Sequence, residues 1–247
     1  MSSRTSPANL SLNSEVADAV DAGRLKGSSF LSPTIVEWWV KDFVSPIERA
    51  LIRYKIRPNT ITTAGFLITC LGAVLIGTNH LIWAGWVTIL AGCCDFWDGR
   101  IARTLNMRTE VGAFYDSCLD RYMDAATFFG LFYLFRDSYF SIVVAIAFLG
   151  TITTPYIRAK AESLGLSSNG GQMQRPERIA YIGIGSFLSG YLSCLAYPFL
   201  EPGRNFPPIF LMLALGVMAF MTNKVAIDRM RDAMAQLSVR DRQPRSN

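Results

Sequence analysis

The sequence predicts an all-α integral membrane protein, a six-transmembrane-helix bundle with an N-terminal interfacial amphipathic helix. Three observations predict it. Of the 247 residues, 51% are hydrophobic and 17% charged, against about 25% charged in an average soluble domain. Six stretches reach or approach the roughly 20 apolar residues that cross a hydrocarbon core of about 30 Å. The basic residues are also sorted: with the N-terminus cytoplasmic, 22 of the 24 Lys and Arg share its side, leaving only Arg136 and Arg204 opposite. Both termini are then cytoplasmic, and the chain is expected to be multi-pass in the cell (inner) membrane.

Residues 1–31 are polar and rich in Ser, Ala and Asp, with no continuous apolar core. They read as a disordered cytoplasmic segment, not a cleavable signal. In residues 32–57, Val36, Trp39, Val40, Phe43, Ile47 and Leu51 recur at helical spacing opposite Glu37, Lys41, Asp42, Glu48 and Arg49. Ser45-Pro46-Ile47-Glu48 reads as a capping box that opens a second short helix. Trp38 and Trp39 beside basic residues suit the membrane interface. Residues 58–231 form the expected six-helix domain, with spans near Ile61–Thr78, Leu81–Cys94, Val111–Phe135, Tyr139–Tyr156, Ile179–Phe199 and Pro207–Thr222. Turn formers connect several of them: Thr78-Asn79-His80, Arg136-Asp137-Ser138 and the run from Glu201 to Asn205. Residues 232–247 are expected as a cytoplasmic tail.

Counting excludes some chemistry. A single His, His80, rules out a three-histidine zinc site or a His-x-x-x-His protease helix. The five Cys lie in apolar runs without a Cys-x-x-Cys pair and read as small core residues.

The acids carry the signal, because ionisable residues within a span are costly and are functional suspects. Asp95 and Asp98, three apart, share a face at the end of the second helix. Asp116 and Asp120, four apart, share one near the start of the third. A short turn at Asn106–Thr109 makes these helices antiparallel neighbours, so four carboxylates converge near the cytoplasmic surface. They cannot all stay ionised in a partly dry site without cations between them. Oxygen ligands without His or Cys select Mg²⁺ or Mn²⁺, and Ca²⁺ is also open. Pairing of these acids with Arg100, Arg103 or Arg121 is the simpler alternative, and it accounts poorly for four at matched depth. Asp124, one turn further, reads as an ion-pair or supporting residue.

Written out, the run is Asp95-x-x-Asp98-Gly99-x-x-Ala102-Arg103, eight residues, Gly112-x-x-x-Asp116-x-x-x-Asp120. It resembles the signature of the CDP-alcohol phosphotransferases, membrane enzymes of phospholipid synthesis. All eight fixed residues are present, a coincidence of roughly one in 10⁸ at a given start. Pro58-Asn59-x-x-Thr62, opening the first span, resembles the family as well. The resemblance implies transfer of a phosphatidyl-type group from a CDP-linked lipid, CDP-diacylglycerol, to an alcohol, with CMP leaving. It implies two divalent ions on Asp95, Asp98, Asp116 and Asp120, with Asp120 also the general base. Asp95, Gly99, Ala102, Arg103 and Gly112 match CDP-binding positions, with Asn59 and Thr62 weaker candidates for the same pocket. A homodimer is implied too; no nucleic-acid partner is expected.

Arg158, Arg175 and Arg178 fall around the connection of the fourth and fifth helices, on the same side as the acids. Arginines there suit a phosphate on the acceptor alcohol, and the segment resembles the phosphatidylinositol-phosphate synthase branch, which favours inositol phosphate. Glycerol 3-phosphate needs the same arginines, and positive-inside anchoring also explains them. A cation-conducting transporter would place acids at the midplane or in repeated halves, whereas the last three helices lack matching acids. A non-catalytic scaffold has no need of four convergent carboxylates.

Overall fold

The computed structural model describes residues 45–54, 56–166, 173–197 and 206–242. The expected disordered segment 1–31, the apolar stripe through Val36, Trp39 and Phe43, the turn at Glu201–Asn205 and the last five residues lie outside the described residues. Among those described, seven helices and no strands are found: α1 (Ser45–Arg53), α2 (Pro58–Gly77), α3 (Leu81–Thr104), α4 (Glu110–Leu134), α5 (Ser141–Ser163), α6 (Arg175–Ala196) and α7 (Ile209–Arg242).

Local chemistry explains the boundaries. Pro58 takes the first position of α2 after extended Arg57, where a missing N–H costs nothing. Thr109 caps α4, its Oγ1 accepting from Gly112 N at 3.0 Å. Glu177 Oε2 accepts from Gln174 N at 3.0 Å at the start of α6. Asn79 and Asn106, both at positive φ, turn the chain after α2 and α3. Four helices, α2, α5, α6 and α7, are long and apolar enough to cross a membrane. In α3 and α4 the acids lower the hydropathy. The last helix is 34 residues, about 51 Å at 1.5 Å per residue. It outruns a hydrocarbon core and passes through the boundary expected at residue 231. Arg240 near its end donates to the Leu164 carbonyl at 2.9 Å.

Six helices close into a ring in the order α2, α3, α6, α7, α5, α4 and back to α2. The helices expected as antiparallel neighbours, α3 and α4, each pack mainly on α2 and meet one another at their acids. Glycine contacts set this arrangement. A Cβ on Gly130 of α4 would press on the Ala73 carbonyl of α2, and one on Gly85 of α3 would lie 2.6 Å from the Gly183 carbonyl of α6. With α2 and α6 drawn in so closely, a wedge opens between α3 and α4. Phe128, Ile76, Leu131, Leu211, Leu215 and Met218 fill the interior. Leu67, Leu71, Trp83, Phe129, Leu149 and Phe220 face outward, an apolar exterior suited to lipid. All five Cys are free; Cys93 and Cys94 are buried as expected, but Cys194 faces out, because its helix turns that side away from the ring.

Helix α1 packs on the end of α3, with Ile47, Leu51 and Ile52 against the cluster of Cys93, Cys94, Trp97 and Ile101. The buried Glu48 carboxylate accepts from Arg100 Nε at 2.9 Å. Arg100 is thus engaged with α1 instead of the acid cluster. Breaking a buried pair from one side costs about 3–5 kcal/mol, while replacing both partners by apolar residues is often neutral. Glu48→Ala is expected to lower the Tm in detergent clearly, and Glu48→Ala with Arg100→Met to regain most of it. A double variant no more stable than the single one would contradict this account.

Candidate active site

The acids meet in the wedge between α3 and α4. Carboxylate oxygens of Asp95, Asp98 and Asp116 all lie within 4.8 Å of one another. Asp98 is buried, and its Oδ2 accepts from Thr62 Oγ1 of α2 at 2.7 Å. The i, i+3 spacing puts Asp95 and Asp98 on one side of α3, and Asp116 comes from the first turns of α4. Three oxygen donors this close, without an imidazole or thiolate, fit a hard divalent cation, Mg²⁺ or Mn²⁺.

Asp120 stands outside that trio. Its Oδ1 is 2.7 Å from Nη1 of Arg175, and the same Nη1 pairs with Asp95 Oδ1. Arg175 enters from the first residue of α6 and sets its guanidinium between α3 and α4. Asp124, one turn beyond Asp120, lies 3.9 Å from Arg121 Nη2, the pairing the sequence offered, and also 3.9 Å from Arg175 Nε and 3.5 Å from Arg178 Nη2.

The smaller positions surround the acids. Gly99 and Ala102 are half-buried on α3, and Arg103 Nη1 lies 3.9 Å from where a Gly99 Cβ would stand. The Asn59 side-chain oxygen lies 3.4 Å from the same point on Gly112, bringing these two expected CDP contacts together. Thr62, expected near nucleotide, is turned onto Asp98. Removing its hydroxyl leaves Asp98 free to rotate: Thr62→Val is expected to weaken Mn²⁺ binding about tenfold, as losing a partner to a metal ligand does, measured by titration of the purified protein.

Of the three arginines expected at an acceptor phosphate, Arg175 and Arg178 meet at Asp124, and Arg158 has another partner. Arg158 is exposed and pairs with Glu162 at 2.8 Å. Arg175 is among the acids, and Arg178 is buried, donating to the Thr151 carbonyl at 3.1 Å. The links from Asp124 to Arg175 and Arg178 were not legible as pairs, being more than 50 residues apart. Pro155, inside an otherwise apolar span, was the one available sign that a carbonyl there needed another donor.

Fold and site are those of a helical membrane protein whose clustered carboxylates could hold a divalent metal, and the class they fit is a metal-dependent membrane transferase. The family model for CDP-alcohol phosphatidyltransferase matches residues 55–222, and the chain belongs to that family. It is 35% identical over 151 residues to the phosphatidylinositol phosphate synthase of Mycobacteroides abscessus, covering 59% of this chain and 69% of the relative. Among solved structures, Mycobacterium tuberculosis phosphatidylinositol phosphate synthase with CDP-DAG bound superposes with a TM-score of 0.64 at 28% identity, covering 77% of this chain and 93% of that one. The same synthase in complex with manganese and citrate gives 0.65 at 27% identity, covering 78% and 89%.

Proposed function

We propose that this phosphatidyltransferase moves the phosphatidyl group of CDP-diacylglycerol to the hydroxyl of an inositol phosphate, releasing CMP. The observation that carries the reading is the folded signature, with Asp95, Asp98 and Asp116 gathered within 4.8 Å and Asp120 one turn away beside Arg175. In this reading six helices, α2 to α7, span the cell membrane, both termini are cytoplasmic, and the acids lie on the cytoplasmic side. The excess of Lys and Arg on that side supports it. The domain runs from residue 58 to 231, between a cytoplasmic N-terminal segment with its interfacial helix and a cytoplasmic tail, and the enzyme works as a homodimer.

Asp95, Asp98 and Asp116 would hold the divalent cations, with Asp120 completing the set; bound there, Mg²⁺ or Mn²⁺ would supply positive charge to the diphosphate and to the charge developing on the leaving CMP. The residues do the rest. Gly99, Ala102 and Gly112 leave the backbone open to the nucleotide, and Asn59, Thr62 and Arg103 border the same pocket. Asp120 takes the proton of the acceptor hydroxyl, whose oxygen attacks the lipid-bearing phosphorus while the bond to the CMP oxygen breaks. Arg175 meets the acceptor phosphate and Arg178, being buried, serves from behind; Arg158, exposed and paired with Glu162, joins them only by leaving that partner.

The test is a panel of acceptors: inositol 1-phosphate, free inositol, glycerol 3-phosphate and serine, each with CDP-diacylglycerol and Mg²⁺ or Mn²⁺. CMP release is expected with inositol 1-phosphate at least about tenfold faster than with free inositol, the margin that a charge-assisted phosphate contact provides. Preference for glycerol 3-phosphate would establish the alternative acceptor, and no CMP with any of the four would refute the proposal.

A further inference from the structure

We infer that Asp124 is a positioning residue, which with Arg178 fixes the guanidinium of Arg175 where it can serve the acceptor phosphate. The inference rests on the functional reading above and adds a residue outside the eight-position signature. It begins at Pro155. A proline inside a helix has no N–H, so the carbonyl four residues earlier loses its helical donor. That carbonyl belongs to Thr151, and Arg178 Nη1 fills the gap at 3.1 Å. Arg178 is 7% exposed and held in one place from behind.

Its other arm lies 3.5 Å from Asp124 Oδ2, and Asp124 Oδ1 faces Arg175 Nε at 3.9 Å. A buried guanidinium needs a fixed counter-charge; Asp124 supplies the one nearest Arg178 and a third one to Arg175, with Arg121 Nη2 also 3.9 Å from the Asp124 Oδ2. Arg175 is then held at Nη1 by Asp95 and Asp120 and at Nη2 by the Met123 sulfur at 3.2 Å, while Nε lies within ion-pair range of Asp124 without a hydrogen bond. A thioether is a weak acceptor, so Nη2 can exchange to a phosphate oxygen at less cost than Nη1, which holds two carboxylates. Two abutting cavities of about 30 Å³ each, both lined by Thr88, Asp124 and Thr127, are each large enough for about one water. Arg178 cannot touch substrate from its buried place, so its influence on the acceptor passes through Asp124 and Arg175.

The experiment uses the full chain in nanodiscs, with CMP release followed against CDP-diacylglycerol and inositol 1-phosphate separately. Asp124→Asn is expected to raise the acceptor KM about tenfold, within the range of coupled neighbours, with donor KM and kcat within about threefold of wild type. Asp124→Glu should recover part of the loss. In an Arg175→Ala background, Asp124→Asn should add nothing to the acceptor KM. An unchanged acceptor KM, equal rises in both KM values, or an undiminished effect without Arg175 each overturn the inference. Should Asp124→Asn fail to fold, Pro155→Ala replaces it. That change gives the Thr151 carbonyl a helical donor again and removes no charge; it should raise the acceptor KM about threefold at equal or higher Tm, and no rise overturns the inference. A wild-type protein inactive with every phosphorylated acceptor sinks the functional reading as well, whereas an active wild type with unmoved variants sinks the inference alone.

Discussion

Asp120→Asn is expected to release CMP at about one-thousandth of the wild-type rate, in the middle of the 10²–10⁴-fold that a positioned general base contributes. The substitution keeps size and shape and removes the basic lone pairs. Asp120 is suited to the role because it lies beside the three clustered acids without being among them, and Arg175 Nη1 at 2.7 Å holds its Oδ1. The check is single-turnover CMP release with donor and acceptor saturating, so that binding does not mask the chemical step. A rate within tenfold of wild type would exclude Asp120 as the base. Its second expected role, as fourth metal ligand, separates in the same variant: Mn²⁺ affinity that falls as far as for the clustered acids would make it a ligand.

The second large effect is expected at Asp98. It is the most enclosed of the trio, fixed by Thr62 at 2.7 Å, and its oxygens share a 4.8 Å neighbourhood with those of Asp95 and Asp116. Removing a hydrogen-bond partner from a metal ligand already costs 10–100-fold in affinity, so removing the ligand's charge should cost more, about 10³-fold. Asp98→Asn is expected to lose Mn²⁺ binding, read by titration in the absence of substrate, and CMP release with it. Retained Mn²⁺ affinity in this variant would disprove the trio as the metal centre.

The sequence made the acids legible because their types and spacing are constrained jointly: i, i+3 on one helix and i, i+4 on the next can meet only in a few ways. Helix existence was legible too, since uninterrupted apolar runs admit little else. Ends were less so. Helix α6 starts at Arg175, four residues before its apolar run, because Pro176 and the Glu177 cap begin the turn among charged residues. Helix α7 continues past Thr222 to Arg242 because a helix leaving the bilayer needs no apolar residues to persist. Packing partners were least visible. The choice of α2 over α4 as main neighbour of α3 depends on glycine contacts across helices, and Glu48 with Arg100 or Asp124 with Arg178 are pairs that only a folded ring defines. The arginines illustrate the same limit, for a shared side of the membrane did not specify which of them reach the acids.

The ring order has a consequence for biosynthesis. Helix α3 carries two of the clustered acids, yet its neighbour α6 brings Arg175 only 80 residues after Asp95. At 5–20 residues per second, the ribosome delivers that guanidinium about 4–16 s later. During this interval the newborn chain holds Asp95, Asp98, Asp116, Asp120 and Asp124 at the membrane with none of the α6 arginines. Until α6 slips between α3 and the still later α7, only Arg121 beside Asp120 and Asp124, Thr62 on Asp98, water and the insertion machinery can satisfy them. The arginine that bridges Asp95 to Asp120 is thus among the last parts of the site to be synthesised.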